Sequence, residues 1–128
     1  MTHSVLLVDD EPHVIRVMQM GLRRAGYEVI TARNGLEGLE RFREREPDAM
    51  VADVDMPKMN GVEMCTTICQ EFPHTACKMF VSTSRAEVEL RTWAKDTGNI
   101  EFLEKPISIR TLTAELDAFF KAANDGSC

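Results

Sequence analysis

Five short apolar runs rich in β-branched residues alternate along the chain with segments whose apolar residues recur at helical spacing, and no other feature restricts the fold so tightly. The runs are "SVLLVD" (4–9), "EVITA" (28–32), "AMVAD" (49–53), "KMFVST" (78–83) and "IEFLE" (100–104). The first, third and fourth are nearly continuous in apolar residues, as strands covered on both faces should be. Between the runs, Val14, Ile15, Met18, Leu22 and Ala25 form a helical stripe that stops at Gly26. Leu36, Leu39 and Phe42 form a second stripe, which ends before Pro47. A third helix carries Cys65, Ile68, Cys69 and Phe72, a fourth Val88 and Trp93, and a fifth Ile109, Leu112, Leu116 and Phe119. Asn34 with Glu37, Asn60 with Glu63 and Ser84 with Glu87 each place a capping side chain three residues before a glutamate.

Strict alternation of this kind predicts an α/β fold: a doubly wound, five-stranded parallel sheet with helices on both faces, joined by right-handed crossovers. The expected topology is flavodoxin-like, (βα)5 with strand order 2-1-3-4-5. At 128 residues the chain suffices for one such domain, assigned to residues 1–122, with "ANDGSC" (123–128) as a flexible tail.

A content of 28% charged and 44% hydrophobic residues is that of a globular chain. The net charge of −6 sets it against phosphate backbones and anionic lipid, so direct nucleic-acid binding and membrane association are not expected. No apolar run approaches the ~18 residues of a spanning helix, and the first residues lack the layout of a signal peptide. The expected location is cytoplasmic, where thiols stay reduced. Cys65, Cys69, His74 and Cys77 loosely resemble a zinc string, but two of the cysteines lie on the apolar stripe of the third helix and read as small hydrophobes.

The polar residues carry the functional signal. Asp9 and Asp10 close the first strand, Asp53 the third and Thr83 the fourth, while Lys105 follows the fifth. All fall at carboxyl ends of strands, the edge where open parallel sheets bind ligands. With the first and third strands adjacent, three carboxylates converge there, and such a cluster must take up a proton or a cation. Mg2+, a hard ion that accepts one or two carboxylates, waters and phosphate oxygens, suits this donor set. A lysine ammonium can neutralise phosphoryl oxygens, and a hydroxyl can donate to one of them. The phosphate loop GxxxxGK is absent, so the phosphoryl group is expected on a side chain. Asp53, central in the cluster, is the candidate nucleophile, forming an aspartyl phosphate. Among the three hydroxyls of "STS", Ser84 is read as a helix cap, Thr83 as pointing into the pocket and Ser82, by strand alternation, as pointing away.

These residues closely resemble the receiver domain of two-component response regulators, from Val5 to about Phe120. "LLVDDEP" is similar to its acidic-pair motif, "VADVDMPKMNG" to its phosphoacceptor loop, "FVSTS" to its switch-hydroxyl strand and "FLEKP" to its lysine-proline end. The resemblance implies that Asp53 takes a phosphoryl group from a phosphohistidine of a sensor histidine kinase or histidine phosphotransfer protein. It implies a Mg2+ site of Asp9, Asp10, Asp53 and the backbone carbonyl of Asp55, with Asp9 acting mainly through water. Lys105 would pair with the phosphoryl group, and Lys105–Pro106 would be a cis peptide. Thr83 and Phe102 match the pair that switches state, and Asp55 and Arg85 match positions that tune phosphate lifetime. The surface of the fourth helix, fifth strand and fifth helix would then bind an output domain or downstream protein, or a second copy. Such a domain promotes its own phosphorylation and slow dephosphorylation and is not otherwise an enzyme. "KDTGNIEF" departs from the family's usual turn, and Phe102 lacks the phenol that some receivers carry.

Two rival readings follow from the same residues. "MVADVDMP" is similar to the D-x-D signature of haloacid dehalogenase-type phosphatases, but here it lies on the third strand and an acidic pair precedes it. A receiver-like interaction module that is never phosphorylated is the other, and the intact set of Asp9, Asp10, Asp53 and Lys105 speaks against it.

Overall fold

Each predicted apolar run is a strand in the computed structural model, which describes residues 2–56, 58–83, 92–93, 99–105 and 107–126. In chain order the elements are β1 (Ser4–Val8), α1 (Pro12–Arg24), β2 (Glu28–Ala32), α2 (Gly35–Glu44), β3 (Ala49–Asp53), α3 (Gly61–Glu71), β4 (Lys78–Thr83), β5 (Ile100–Glu104) and a C-terminal helix (Ile109–Gly126). The strands form one sheet in the order β2-β1-β3-β4-β5, every pair parallel. This is the predicted fold class. Of the expected fourth helix only Thr92 and Trp93 are described, both helical; Ser84 and Val88 lie outside the described residues.

Strand alternation divides the core in two. Val5, Leu7, Val51 and Phe80 face α1 and the C-terminal helix, where they meet Met18, Leu22, Leu112 and Leu116. Leu6, Val8, Met50, Ala52, Met79 and Val81 face the other way, onto Leu39 and Phe42 of α2 and Met64 and Ile68 of α3. Every residue of β1 and β3 is buried, which explains why each is apolar apart from Ser4 at the start of β1 and Asp53 at the end of β3. The edge strands β2 and β5 are partly exposed and carry the charged residues Glu28, Glu101 and Glu104.

Local chemistry fixes the element ends. The Asn34 side chain accepts the Glu37 N–H at 2.9 Å. Asn60 and Glu63 form the full reciprocal pair, at 2.9 and 3.4 Å. Gly26, at φ 96°, lets the chain leave α1 in the left-handed region that other residues avoid. At the amino edge of the sheet, the Tyr27 hydroxyl donates to Asp117, and the His3 ring stacks on Phe120 with centroids 3.9 Å apart. Both contacts tie the C-terminal helix to the sheet. No helix among the described residues is long and apolar enough to cross a membrane.

Candidate functional site

β1 and β3 end side by side at the centre of the sheet, and the acids lie at those ends. Asp53 closes β3 and is 3% exposed. Its Oδ1 accepts the Asp55 N–H at 3.0 Å and the Lys105 ammonium at 2.8 Å. Lys105 sits just past β5, its root held by a backbone N–H donated to the Thr83 carbonyl at 3.0 Å. Asp9 follows β1; its own N–H bonds the Ala32 carbonyl at 3.1 Å, and its Oδ1 accepts the Glu11 N–H at 2.9 Å. Asp9 therefore braces the turn into α1 without capping the helix, whose N-cap Glu11 has no side-chain cap bond. Asp9, Asp10 and Asp53 each bring a carboxylate oxygen within 4.8 Å of the other two.

The loop after β3 is held from the side of α3. A Cβ on Gly61 would lie 2.5 Å from the Asp53 carbonyl oxygen, so only glycine lets α3 begin this close to the acid strand. The Gly61 N–H donates to the Val54 carbonyl at 3.2 Å and closes the loop.

Burial pushes the Asp9 carboxyl up to about 6, and the charges of Asp53 and Asp10 add to the rise while the Glu11 N–H and Lys105 oppose it. For Lys105, burial pulls downward, but the bond to Asp53 and the charges of Asp53, Asp9 and Asp55 outweigh it, so the ammonium lies above the usual lysine range. Three carboxylates thus face one ammonium. The imbalance is in hard oxygen donors, which fits a divalent ion such as Mg2+ at this cluster.

A cavity of about 510 Å3 opens beside the cluster. Asp9, Asp53, Ser82 and Lys105 supply its polar wall, and Leu7, Val14, Met18, Val51 and Ile107 its apolar floor. Here the structure departs from the expected orientation of the fourth strand. Ser82, not Thr83, lines the cavity: it is the register partner of Asp53 and shares the sheet face of Phe80. Thr83 is buried, at 2% exposure, and alternation puts it on the face of Val81. Phe102 pairs with Val81 and packs on that same core, so Thr83 and Phe102 share the face opposite Asp53. The Asp55 side chain is exposed. Arg85 and Pro106, and with them one of the two lifetime-tuning positions and the cis peptide, lie outside the described residues. Cys65 and Cys77 are buried in the core, their thiols pushed up by burial, and the described residues gather no donor set for a metal around them.

The profile of the response regulator receiver domain family matches residues 5–117. The chain is 32% identical to the alkaline phosphatase synthesis transcriptional regulatory protein PhoP of Bacillus subtilis, over 94% of this chain and 50% of that protein. It therefore spans about half the length of the curated relatives it matches first. It is also 27% identical to protein PilH of Pseudomonas aeruginosa, over 89% of this chain and 94% of the other. Among solved structures, the chemotaxis protein CheY4 of Vibrio cholerae superposes with a TM-score of 0.83 at 29% identity, covering 92% of this chain and 98% of that one.

Proposed function

The chain belongs to the response regulator receiver domain family of two-component signalling, and from that premise we propose that it is a switch driven by phosphorylation of Asp53. The observation that carries the proposal is the setting of Asp53: a buried carboxylate at the end of β3, held by Lys105 at 2.8 Å and flanked by two further aspartates.

In this reading an Asp53 oxygen attacks phosphorus in line, and the bond from phosphorus to the imidazole nitrogen of a phosphohistidine breaks as the new P–O bond forms. The donor is a sensor histidine kinase or histidine phosphotransfer protein. Asp53, Asp10 and the Asp55 carbonyl would hold Mg2+, with Asp9 acting mainly through water; when bound, the ion supplies charge neutralisation at the phosphoryl oxygens. Lys105 supplies a second positive charge and follows the phosphoryl group. The Asp55 N–H fixes the carboxylate oxygen that it binds, so the nucleophile is oriented before the donor arrives.

The phosphoryl group adds about two negative charges and three acceptor oxygens at the sheet edge. Thr83 and Phe102, together on the opposite face, are the side chains through which that charge would reorganise the surface of the fourth helix, β5 and the C-terminal helix. An output domain, a downstream protein or a second copy would read that surface.

Intact-protein mass after incubation with Mg2+ and a small acyl phosphate tests the proposal. One added phosphoryl group that requires Mg2+ and is absent in Asp53→Asn is the expected result. If the wild type gains nothing, the chain acts through contact in its unmodified form and the proposal is wrong.

A further inference from the structure

Ser82 is a polar side chain, 3% exposed, set in a cavity whose floor is otherwise apolar. Its position follows from register. Ser82 lies opposite Asp53 across the β3–β4 ladder and opposite Leu103 across the β4–β5 ladder. Lys105 starts beyond β5 and places its ammonium 2.8 Å from Asp53 on β3, so its stem must cross β4. The crossing is made on the face that Asp53, Phe80 and Ser82 share. Lys105 thus passes over Ser82.

The hydroxyl adds a second property. Ser82 Oγ donates to the Ala52 carbonyl at 3.4 Å, which turns its proton back toward the strand. A serine hydroxyl has one donor and two acceptor lone pairs. With the proton directed at β3, the lone pairs are left for the cavity, where Lys105 is the ammonium that lines it.

We infer that Ser82 is a positioning residue for phosphoryl transfer: it steadies the Lys105 ammonium over the acceptor while Asp53 turns from a carboxylate into an acyl phosphate. The inference rests on Asp53 being the acceptor. As the carboxylate charge passes into the new ester, the Lys105–Asp53 bond weakens, and the ammonium must find other acceptors until it engages the phosphoryl oxygens. The Thr83 carbonyl anchors the root of Lys105, and the Ser82 hydroxyl, on the same cavity wall, would be the acceptor open to its head during transfer.

The test compares wild type, Ser82→Ala, Ser82→Thr, Ser82→Val and Asp53→Asn for the rate of phosphoryl gain. The probe is a small acyl phosphate at saturating donor and Mg2+, and urea midpoints are measured alongside. Threonine and valine match in shape and differ in the hydroxyl. Ser82→Thr should stay within about twofold of wild type, while Ser82→Ala and Ser82→Val slow by about tenfold, the size of one hydrogen bond to a charged group. Ser82→Ala at the wild-type rate, or Ser82→Thr as slow as Ser82→Val, overturns the inference. Failure of the acceptor reading looks different: the wild type stays unmodified, or Asp53→Asn still gains the group.

Discussion

Replacing Asp9 by Asn should make the metal-free protein more stable, and the size of the gain can be worked from the site. The Asp9 carboxyl rises from its ordinary 3.8 to about 6 in the folded protein, chiefly because it is buried among other acids. Carried in full, that rise is worth about 3 kcal/mol against the ionised form. Asp9 is only partly buried, so solvent screening reduces it to about 1 kcal/mol. The direction is opposite to that of a salt-bridged carboxylate. Folding binds the proton more tightly than the unfolded chain does, so this contribution to stability is complete below 3.8 and is lost as pH rises through 6. Asparagine copies the protonated state and keeps an oxygen for the Glu11 N–H. Urea unfolding in EDTA at neutral pH should show Asp9→Asn about 1 kcal/mol above wild type, and the gap should close toward pH 4. Excess Mg2+ should stabilise the wild type more than the variant, since the ion relieves the same repulsion. A variant no more stable than wild type at neutral pH, or a gain that ignores pH, would refute the reasoning.

Three further outcomes are expected. Gly61→Ala pushes a methyl group into the Asp53 carbonyl oxygen, 2.5 Å from the new Cβ, and should cost about 1–3 kcal/mol in urea unfolding with slower phosphoryl gain by intact mass. Lys58 holds φ 67°, a region costly for any residue with a Cβ; Lys58→Gly should raise stability by about 0.5–1 kcal/mol, part of the relief being offset by glycine's freedom in the unfolded chain. Tyr27→Phe leaves Asp117 without its donor and should lower stability by about 1–2 kcal/mol, with an unchanged urea midpoint counting against a structural role for the pair.

Most of the sheet was readable because buried strands announce themselves. The runs at 49–53 and 78–83 are apolar on both faces, and their ends coincide with β3 and β4. The acids were readable for the same reason, as charges set at the carboxyl ends of such runs. The orientation of "STS" was not. Alternation says that Ser82 and Thr83 face opposite ways but leaves open which of them faces Asp53. That choice depends on register between parallel strands, and no tight turn fixes register across the crossover from β3 to β4. The pairing of Asp53 with Ser82 supplies the missing phase. Tyr27 with Asp117 escaped notice for a related reason: the residues lie far apart in sequence and meet only once the C-terminal helix packs against β1 and the α1–β2 turn.

The phase of β4 also bears on how a charge at Asp53 could be felt elsewhere. Asp53, Ser82 and Lys105 lie on the face that packs against α1 and the C-terminal helix, while Thr83 and Phe102 lie on the face that packs against α2 and α3. A phosphoryl group on the first face must therefore act across β4 to reach the second. One link already spans the two. Lys105, whose ammonium holds Asp53, donates its backbone N–H to the carbonyl of Thr83. Movement of the ammonium toward a phosphoryl oxygen would load that bond, beside Thr83 and Glu104, the last register pair of the β4–β5 ladder among the described residues. The pull would thus arrive at the end of β4, and Thr83 and Phe102 are the buried and half-buried side chains that lie on its far side.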